Sequence, residues 1–248
     1  MLGLIGGTGL DTIEGLAIES YEDIDTPYGA MSAPIAICTL NDKTIAFLPR
    51  HGENHTIPPH LINYRANIWG LNHMDVTDII AIATVGSIKD DLHPGSIVIP
   101  SQIIDYTHGR EHTFFEGKNE PVNHIDFTYP FTPSIAELIH KVSQELSLDV
   151  SLGGTYAAVQ GPRLETKAEI DRYERDGATI VGMTGMPEAS LARELTMNYA
   201  AICPVANQAA GRGTSKDGIS HHDITKKSKG MMDEVLQIVA SFIRIYGH

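Results

Sequence analysis

The stretch Gly3-Leu4-Ile5-Gly6-Gly7-Thr8-Gly9-Leu10 decides the fold of this chain. A short apolar run that enters a cluster of glycines is typical of a buried strand ending in a loop. Because glycine has no Cβ and tolerates positive φ, several N–H groups of the loop can point at one anion, with the Thr8 hydroxyl beside them. The stretch predicts an anion-binding loop, although a tight strand-to-helix turn without a ligand has the same pattern.

The composition limits the size and the partners of the protein. Of its 248 residues, 42% are hydrophobic, enough for one large core, and the length allows one or two domains. No linker, low-complexity tract or internal repeat interrupts the sequence, so we predict a single domain over residues 1–248. The net charge of −13 without a basic block argues against nucleic acid or an anionic membrane as a partner, since both need clustered Lys and Arg.

The two cysteines, Cys38 and Cys203, lie in apolar runs that are typical of buried strands. In that setting we expect inert core thiols rather than a disulfide or a nucleophile. The sequence has no signal-like segment and no long apolar segment, which predicts a cytoplasmic protein.

Short apolar runs alternate along the chain with helical patterns. The runs typical of strands cover 34–40, 44–48, 79–83, 97–100, 155–160, 180–182 and 199–205. The helical patterns cover 61–74, 133–146, 166–176, 187–196 and 225–246. Asn41-Asp42-Lys43 predicts a hairpin between the first two runs. This order predicts an α/β fold in which helices flank both faces of a mixed, largely parallel β-sheet.

Anion-suitable groups follow several of these strands directly. They are Thr8, Arg50, His51, Thr84, Val85 and Thr184. Ligands of α/β proteins bind at the carboxyl ends of strands, so these groups are expected to converge on one site. Arg50 offers a fork of donors to phosphate oxygens, Val85 offers its backbone N–H, and Thr184 precedes a helix whose dipole favours negative charge. Singly, each has a plainer explanation as an ion pair or a cap; together they predict a phosphate site.

Several separated motifs give the chain a family resemblance. They are Ile5-Gly6-Gly7-Thr8-Gly9-Leu10, Arg50-His51-Gly52 with His55-Thr56-Ile57, Asn63-Tyr64 with Ala66-Asn67, Gly161-Pro162-Arg163 and Met183-Thr184 with Pro187-Glu188. In this order, from Leu4 to at least Asn207, they resemble the methylthioadenosine phosphorylase and purine nucleoside phosphorylase family. The resemblance implies a nucleoside phosphorylase α/β sandwich assembled as a homotrimer. It also implies that the residues of the predicted phosphate site hold inorganic phosphate as co-substrate and that no other cofactor is needed. Met183 is then expected to pack on the ribose.

The base-contacting positions depart from the adenine-specific branch of that family. Glu165 falls where the 6-oxopurine enzymes have glutamate and the adenine enzymes have serine. Asn207 falls where the 6-oxopurine enzymes have asparagine and the adenine enzymes have aspartate. Ala209 replaces a second aspartate of the adenine branch. The resemblance therefore implies a 6-oxopurine substrate, with Glu165 and Asn207 as the residues that assist catalysis at the base.

Hydrogen-bond chemistry supports this direction independently. Hypoxanthine carries a proton on N1 that an ionised Glu165 can accept, whereas N1 of adenine is itself an acceptor. The Asn207 amide can donate to O6 or N7, where negative charge accumulates as the base departs, so the bond is stronger in the transition state than in the ground state. The phosphate dianion faces the developing oxocarbenium ion, and no protein nucleophile is needed.

The sugar end distinguishes ordinary nucleosides from 5′-methylthio nucleosides. The segment from His51 to Leu71, which includes His55, follows the methylthioadenosine phosphorylase pattern, and His124-Ile125 resembles a segment that a neighbouring subunit places over the 5′ substituent. Together the two ends imply S-methyl-5′-thioinosine as the preferred substrate; inosine, guanosine and methylthioadenosine are the alternatives. Leu164 stands where the family usually has a phenylalanine stacked on the purine, so face-on contact is expected to be weaker.

A nicotinamide-dependent reductase or epimerase is a competing interpretation of the glycine cluster. Gly6-Gly7-Thr8-Gly9 could open a dinucleotide fingerprint, but Thr12 stands at the third glycine position. No tyrosine has a lysine four residues later. A nucleoside-binding protein without catalysis is a second alternative, although it would leave a complete phosphate site unexplained.

A metal hydrolase is a third alternative, based on histidines. They are His51, His55 and His60, with His221-His222-Asp223 further along. Their spacing matches neither H-E-x-x-H nor a Cys/His zinc site, so we expect no metal. The polar stretch 211–223 predicts either a mobile loop with a lid function or an ordinary surface loop.

Overall fold

The computed structural model describes residues 1–7, 13, 15–117, 122–219 and 221–247, with the backbone alone at 221–229. Within these ranges the strands are β1 (Leu2–Gly6), β2 (Ala17–Glu22), β3 (Ile35–Leu40), β4 (Lys43–Pro49), β5 (Asp78–Ile82), β6 (Val85–Ser87), β7 (Ile97–Ile99), β8 (Gln102–Asp105), β9 (Val150–Leu152), β10 (Thr155–Ala158), β11 (Ile180–Gly182) and β12 (Asn198–Gln208). The α-helices are α1 (Tyr64–His73), α2 (Pro133–Glu145), α3 (Lys167–Arg175), α4 (Gly185–Glu194) and α5 (His221–Ile245).

All twelve described strands belong to one mixed sheet. Their order is β2-β3-β4-β1-β5-β12-β6-β11-β10-β8, with β7 paired to β12 and β9 paired to β7. The centre, β4-β1-β5-β12-β6, is parallel, whereas β3 runs antiparallel to β4 and β11 runs antiparallel to β6. This arrangement confirms the predicted α/β fold with a mixed, largely parallel sheet.

Strand β12 connects the two halves of the sheet. Its first half pairs with β5 and its second half with β6, and the register shifts between Val205 and Asn207. The shift is a β-bulge in which Ala206 is the extra residue; a bulge bends a strand and redirects the next side chain. Asn207 thus lies inside a strand, not after it as the pattern 199–205 predicts.

Helices cover both faces of the sheet because each presents one apolar face. Helices α2 and α5 pack together and against β12 on one side, with Val235, Val239 and Phe242 of α5 fully buried. Helices α1 and α4 pack together on the other face, where Ile68 and Leu191 are fully buried. In the part of the chain that the structure describes, no helix combines the length and apolar character needed to cross a membrane.

Capping and turn residues set the element boundaries. The hairpin at Asn41-Asp42 is confirmed: both residues have positive φ, and Leu40 pairs with Lys43 across a two-residue turn. The pattern 61–74 overestimates α1, which begins at Tyr64 because the Asn63 side chain accepts a hydrogen bond from an N–H of its first turn.

Two further boundaries differ from the sequence patterns. Helix α4 begins at Gly185, before the predicted 187, and α5 begins at His221, before the predicted 225. The second difference corrects the predicted loop 211–223. Its last residues belong to a helix, and a short 3-10 turn lies at Gly213–Ser215.

Candidate functional site

A cavity of about 480 Å³ lies where the carboxyl ends of β1, β4, β5 and β11 meet the second half of β12. Strand β11 reaches this edge because it runs antiparallel to β6, which brings Gly182 beside Val85 at the start of β6. A Cβ on Gly182 would overlap the Tyr156 ring and crowd Val85, so glycine permits this close approach. The cavity therefore occupies the strand-end position that the sequence predicts.

Most of the residues singled out in the sequence line this cavity. They are Arg50, His51, His55, Thr84, Val85, Leu164, Glu165, Met183, Thr184 and Asn207. Thr8 lies outside the described residues, although Gly7 before it lines the cavity. His124 is exposed and is not part of the lining, and its neighbours Asn123 and Ile125 line a separate cavity of about 420 Å³.

Arg50 is a buried cation that lines the cavity. Its guanidinium is 2% exposed and donates from Nε and Nη2 to the two carboxylate oxygens of Glu188, at 2.6 and 2.8 Å. Nη1 donates to the Ile82 carbonyl at 3.0 Å. Burial opposes the charge, but the Glu188 carboxylate outweighs it and raises the pKa of Arg50 above its usual value. One N–H on each terminal nitrogen is left, which gives a fork suited to an oxyanion.

His51 lies beside this arginine as a neutral imidazole. Nδ1 is 2.9 Å from the Ile57 carbonyl, which can only accept, so Nδ1 carries the proton and Nε2 has a free lone pair. Burial, reinforced by the Arg50 charge, lowers the pKa of His51 to about 4. The His55 ring lies against His51 with the centroids 4.4 Å apart, and it is exposed at the cavity mouth.

Thr184 lies at the start of α4 and also lines the cavity. Its backbone N–H donates to the Tyr156 hydroxyl at 3.3 Å, and no N–H of the helix uses the Thr184 side chain as a cap. The predicted plain alternative, an N-cap, is therefore not what the side chain does. A buried hydroxyl at a helix N-terminus is suited to binding an anion.

Glu165 and Asn207 both line the same cavity. Asn207 follows the β12 bulge and donates one Nδ2 hydrogen to the Gln208 carbonyl at 2.7 Å, which leaves a second N–H for a ligand. Glu165 lies just before α3, whose cap is Thr166 and not Glu165. Burial raises the pKa of Glu165 above its ordinary value. The ion pair at the start of α3 joins Arg163 to Glu169.

Leu164 and Met183 add apolar side chains to the lining of the cavity. Leu164 is 37% exposed, and the Met183 sulfur packs against the backbone of Gly161. Glu165 also lines a second cavity of about 340 Å³ that Tyr106 and Arg163 border. The carboxylate therefore lies between two open volumes.

Sequence reasoning missed three residues that matter here. Glu188 and Tyr199 are fully buried, and the Tyr199 hydroxyl donates to Glu188 at 2.8 Å, so both hold Arg50 in place. Met232 of α5 lines the cavity as well. The pairing of Glu188 with Arg50 joins residues 138 positions apart, and the only available signal was a carboxylate in a helix start.

Within the described ranges, no three His, Cys, Asp or Glu side chains cluster as metal ligands would.

Known proteins resemble this chain over most of its length. The Phosphorylase superfamily model matches residues 1–244. The chain is 48% identical over 213 residues to the probable S-methyl-5′-thioinosine phosphorylase of Pseudomonas syringae pv. tomato, covering 86% of each. It is 39% identical over 247 residues to the 6-oxopurine nucleoside phosphorylase of Pyrococcus furiosus, covering 98% of this chain and 91% of the relative. The solved methylthioadenosine phosphorylase of Schistosoma mansoni in complex with adenine matches with a TM-score of 0.92 at 29% identity, over 99% of this chain and 91% of that one.

Proposed function

The chain belongs to the Phosphorylase superfamily, and from this premise we propose that it cleaves S-methyl-5′-thioinosine with inorganic phosphate. The products are hypoxanthine and 5-methylthioribose 1-phosphate. The observation that carries the proposal is the presence of Glu165 and Asn207 in the same cavity as Arg50 and Thr184. A base site and an anion site in one cavity suit a reaction between a nucleoside and phosphate.

The base end favours an oxopurine. A half-buried Glu165 carboxylate accepts the N1 proton of hypoxanthine, whereas N1 of adenine would face it lone pair to lone pair. The free N–H of Asn207 donates to O6 or N7 of the same base. A site built on such bonds rejects a base that leaves them unmade by as much as about 10⁴. The relatives from Pseudomonas and Pyrococcus, both named for 6-oxopurine substrates, support this preference.

The anion end holds phosphate at the sugar. The free fork of Arg50, the Thr184 hydroxyl and the backbone N–H of Val85 bind its oxygens, and Thr8, His51 and Thr84 complete the set. The C1′–N9 bond breaks with its electron pair leaving on the purine, a phosphate oxygen bonds to C1′, and the proton of hydrogen phosphate ends on the base. Hydrogen bonds to the leaving purine become stronger as negative charge grows on it, and this lowers the activation barrier of the reaction. We propose that no metal or cofactor takes part.

The sugar end and the assembly belong to the same proposal. Met183 packs on the ribose, and His55 lies toward the 5′ substituent. His124 reaches the site of a neighbouring subunit in a homotrimer; its exposure and its absence from the lining of its own cavity support this role. The cytoplasmic location stays a prediction, as does the lid function of the loop before α5.

Phosphate dependence is the decisive experiment. We expect the purified protein to release hypoxanthine from S-methyl-5′-thioinosine in phosphate buffer and not in phosphate-free buffer, with hypoxanthine measured by chromatography. Equal release without phosphate would identify a hydrolase instead. A panel of methylthioinosine, methylthioadenosine, inosine and adenosine at matched concentration then ranks the substrates, and methylthioinosine is expected to give the highest kcat/KM.

A further inference from the structure

Two loops that follow the paired strands β10 and β11 carry ligand-facing residues of the cavity. We call residues 159–165 the base loop, because it carries Leu164 and Glu165, and residues 183–187 the phosphate loop, because it carries Met183 and Thr184. The first follows β10 and the second follows β11. The transfer of a sugar from base to phosphate depends on how far apart these loops hold the two substrates.

Four main-chain carbonyls of the two loops accept hydrogen bonds from one side chain. Met183 would pair with the N–H four residues later in a helix, but Pro187 stands there and has none. Met186 has extended dihedral angles (φ −122°, ψ 139°), so the regular part of α4 begins after it. Val159 and Gln160 come after the last residue of β10. Buried carbonyls of this kind need donors from elsewhere.

Arg110 supplies those donors to both loops at once. Nη1 donates to the carbonyls of Met183 and Met186 at 2.8 and 2.5 Å, and Nη2 donates to the carbonyls of Val159 and Gln160 at 3.2 and 2.9 Å. Each terminal nitrogen serves one loop. A planar guanidinium is suited to this because its two terminal nitrogens carry four N–H groups in a fixed geometry.

The guanidinium is itself held in place. Arg110 is 8% exposed, and its Cζ lies 5.3 Å from the centre of the Tyr64 ring, whose hydroxyl also contacts Nη1 at 3.1 Å. Tyr64 in turn donates to the Pro59 carbonyl at 2.9 Å. Every described hydrogen-bond partner of Arg110 is a neutral oxygen, so a buried charge is retained here without a described carboxylate beside it. Such a charge is costly for stability alone, which points to a role in the geometry of the site.

We propose that Arg110 is a positioning residue that sets the spacing between the base loop and the phosphate loop. It touches neither substrate. This role rests on the proposed function, since it matters only if a nucleoside and phosphate must meet across the two loops. Misplacement of reacting groups by about 1 Å can lower the rate by about a hundredfold.

The test separates binding from turnover. In Arg110→Met, which keeps an unbranched buried side chain, we expect kcat for methylthioinosine to fall by about ten- to a hundredfold. The Kd values of hypoxanthine alone and of phosphate alone, measured by calorimetry, should stay within about threefold, because each loop still binds its own ligand. Arg172→Met is the matched control, since Arg172 also lies over a tyrosine ring, at 5.4 Å, but is exposed and lines neither of the two cavities that Glu165 borders. Its kcat should not change.

Chemical rescue gives a second readout. Added guanidinium ions at concentrations below those that unfold the protein should restore part of the kcat of Arg110→Ala, and methylammonium ions should not, because a point-like ammonium cannot bond to both loops. Arg110→Lys should lose kcat for the same reason although it keeps the charge.

The outcomes are distinguishable. If the wild-type protein shows no phosphate-dependent cleavage, the proposed function fails whatever Arg110 does. If the wild type is active and the folded Arg110→Met variant keeps its kcat, the positioning role is overturned. The role is also overturned if both Kd values rise by the same factor as kcat falls. If Arg110→Met and Arg110→Lys both fail to fold, Arg110 is a stability residue only, and the inference is overturned as well.

Discussion

Arg50 and Glu188 form a bidentate ion pair that is almost completely buried, with both side chains no more than 2% exposed. One edge of the guanidinium faces Glu188, and the Tyr199 hydroxyl donates to Oε1 of the carboxylate, which also accepts from Nη2. Arg50 also lines the cavity. An internal carboxylate therefore fixes the direction in which this cation can meet an anion.

Replacing Glu188 with Gln should weaken both stability and phosphate binding. Breaking a buried pair leaves an uncompensated charge and costs about 3–5 kcal/mol. We expect a lower urea midpoint at fixed protein concentration and a higher KM for phosphate, with a smaller change in the KM for nucleoside. Glu174→Gln is the control, because its pairs with Lys89 and Arg212 are partly exposed and are worth about 1 kcal/mol or less. If the Glu188→Gln protein is less stable but its KM for phosphate is unchanged, Arg50 does not bind phosphate.

The ionisation of Glu165 should set the acid limb of the pH profile. The carboxylate must be ionised to accept the N1 proton, and burial raises its pKa, so activity is expected to fall at a higher pH than an ordinary glutamate would require. The kcat/KM for methylthioinosine, measured from acid to neutral pH, should drop as the group protonates. In Glu165→Gln much of the activity should be lost, and the remaining limb should be only the one that phosphate sets by its own titration. A limb that is unchanged in this variant would belong to another group.

His51 should contribute no titration between about pH 5.5 and 8, because its pKa is lowered to about 4 and the imidazole is neutral throughout that range. Phosphate itself titrates there, so the informative quantity is the ratio of the phosphate KM of His51→Asn to that of the wild type. We expect this ratio to stay constant with pH. A ratio that changes near the ordinary pKa of histidine would show a charged His51.

Exchanging the base-binding residues should exchange the base. In Glu165→Ser/Asn207→Asp, the carboxylate that accepts from N1 is lost and a carboxylate that can accept from the adenine amino group is gained. The ratio of kcat/KM for methylthioadenosine to that for methylthioinosine should rise by about tenfold or more. Each single variant serves as a control, since it keeps one mismatched group. An unchanged ratio in the double variant would mean that the base lies elsewhere.

Gly182→Ala should damage the protein at the edge of the site. The new Cβ would lie 2.6 Å from Cζ of Tyr156, whose hydroxyl holds the Thr184 N–H. Overpacking of this kind costs about 1–3 kcal/mol, and we expect a lower Tm together with a higher phosphate KM. Gly230→Ala is the control: it lies in α5 with open space at its Cβ, and alanine in a helix is more stable than glycine by about 0.5–1 kcal/mol. A Tm that rises in both variants would contradict the close contact.

The sequence by itself determined the α/β fold, its hairpin and, to within one residue, the ends of β4, β5 and β11. These depend on local rules: apolar runs of a given period, the φ preferences of Asn41-Asp42, and a side chain such as Thr166 that caps its own helix. Because carboxyl ends of neighbouring strands converge, the polar residues after them could be assigned to one cavity before their distances were known.

Only the tertiary structure decided what holds those residues in position. The Glu188 carboxylate meets Arg50 from 138 residues away, and Arg110 bonds to carbonyls of two loops that no sequence pattern connects with it. The bulge that directs Asn207 depends on the register of β12 against β6. Burial and pairing across the fold set these relationships, and they leave no periodic mark in the sequence, since any buried charge only has to find a partner somewhere in the folded chain.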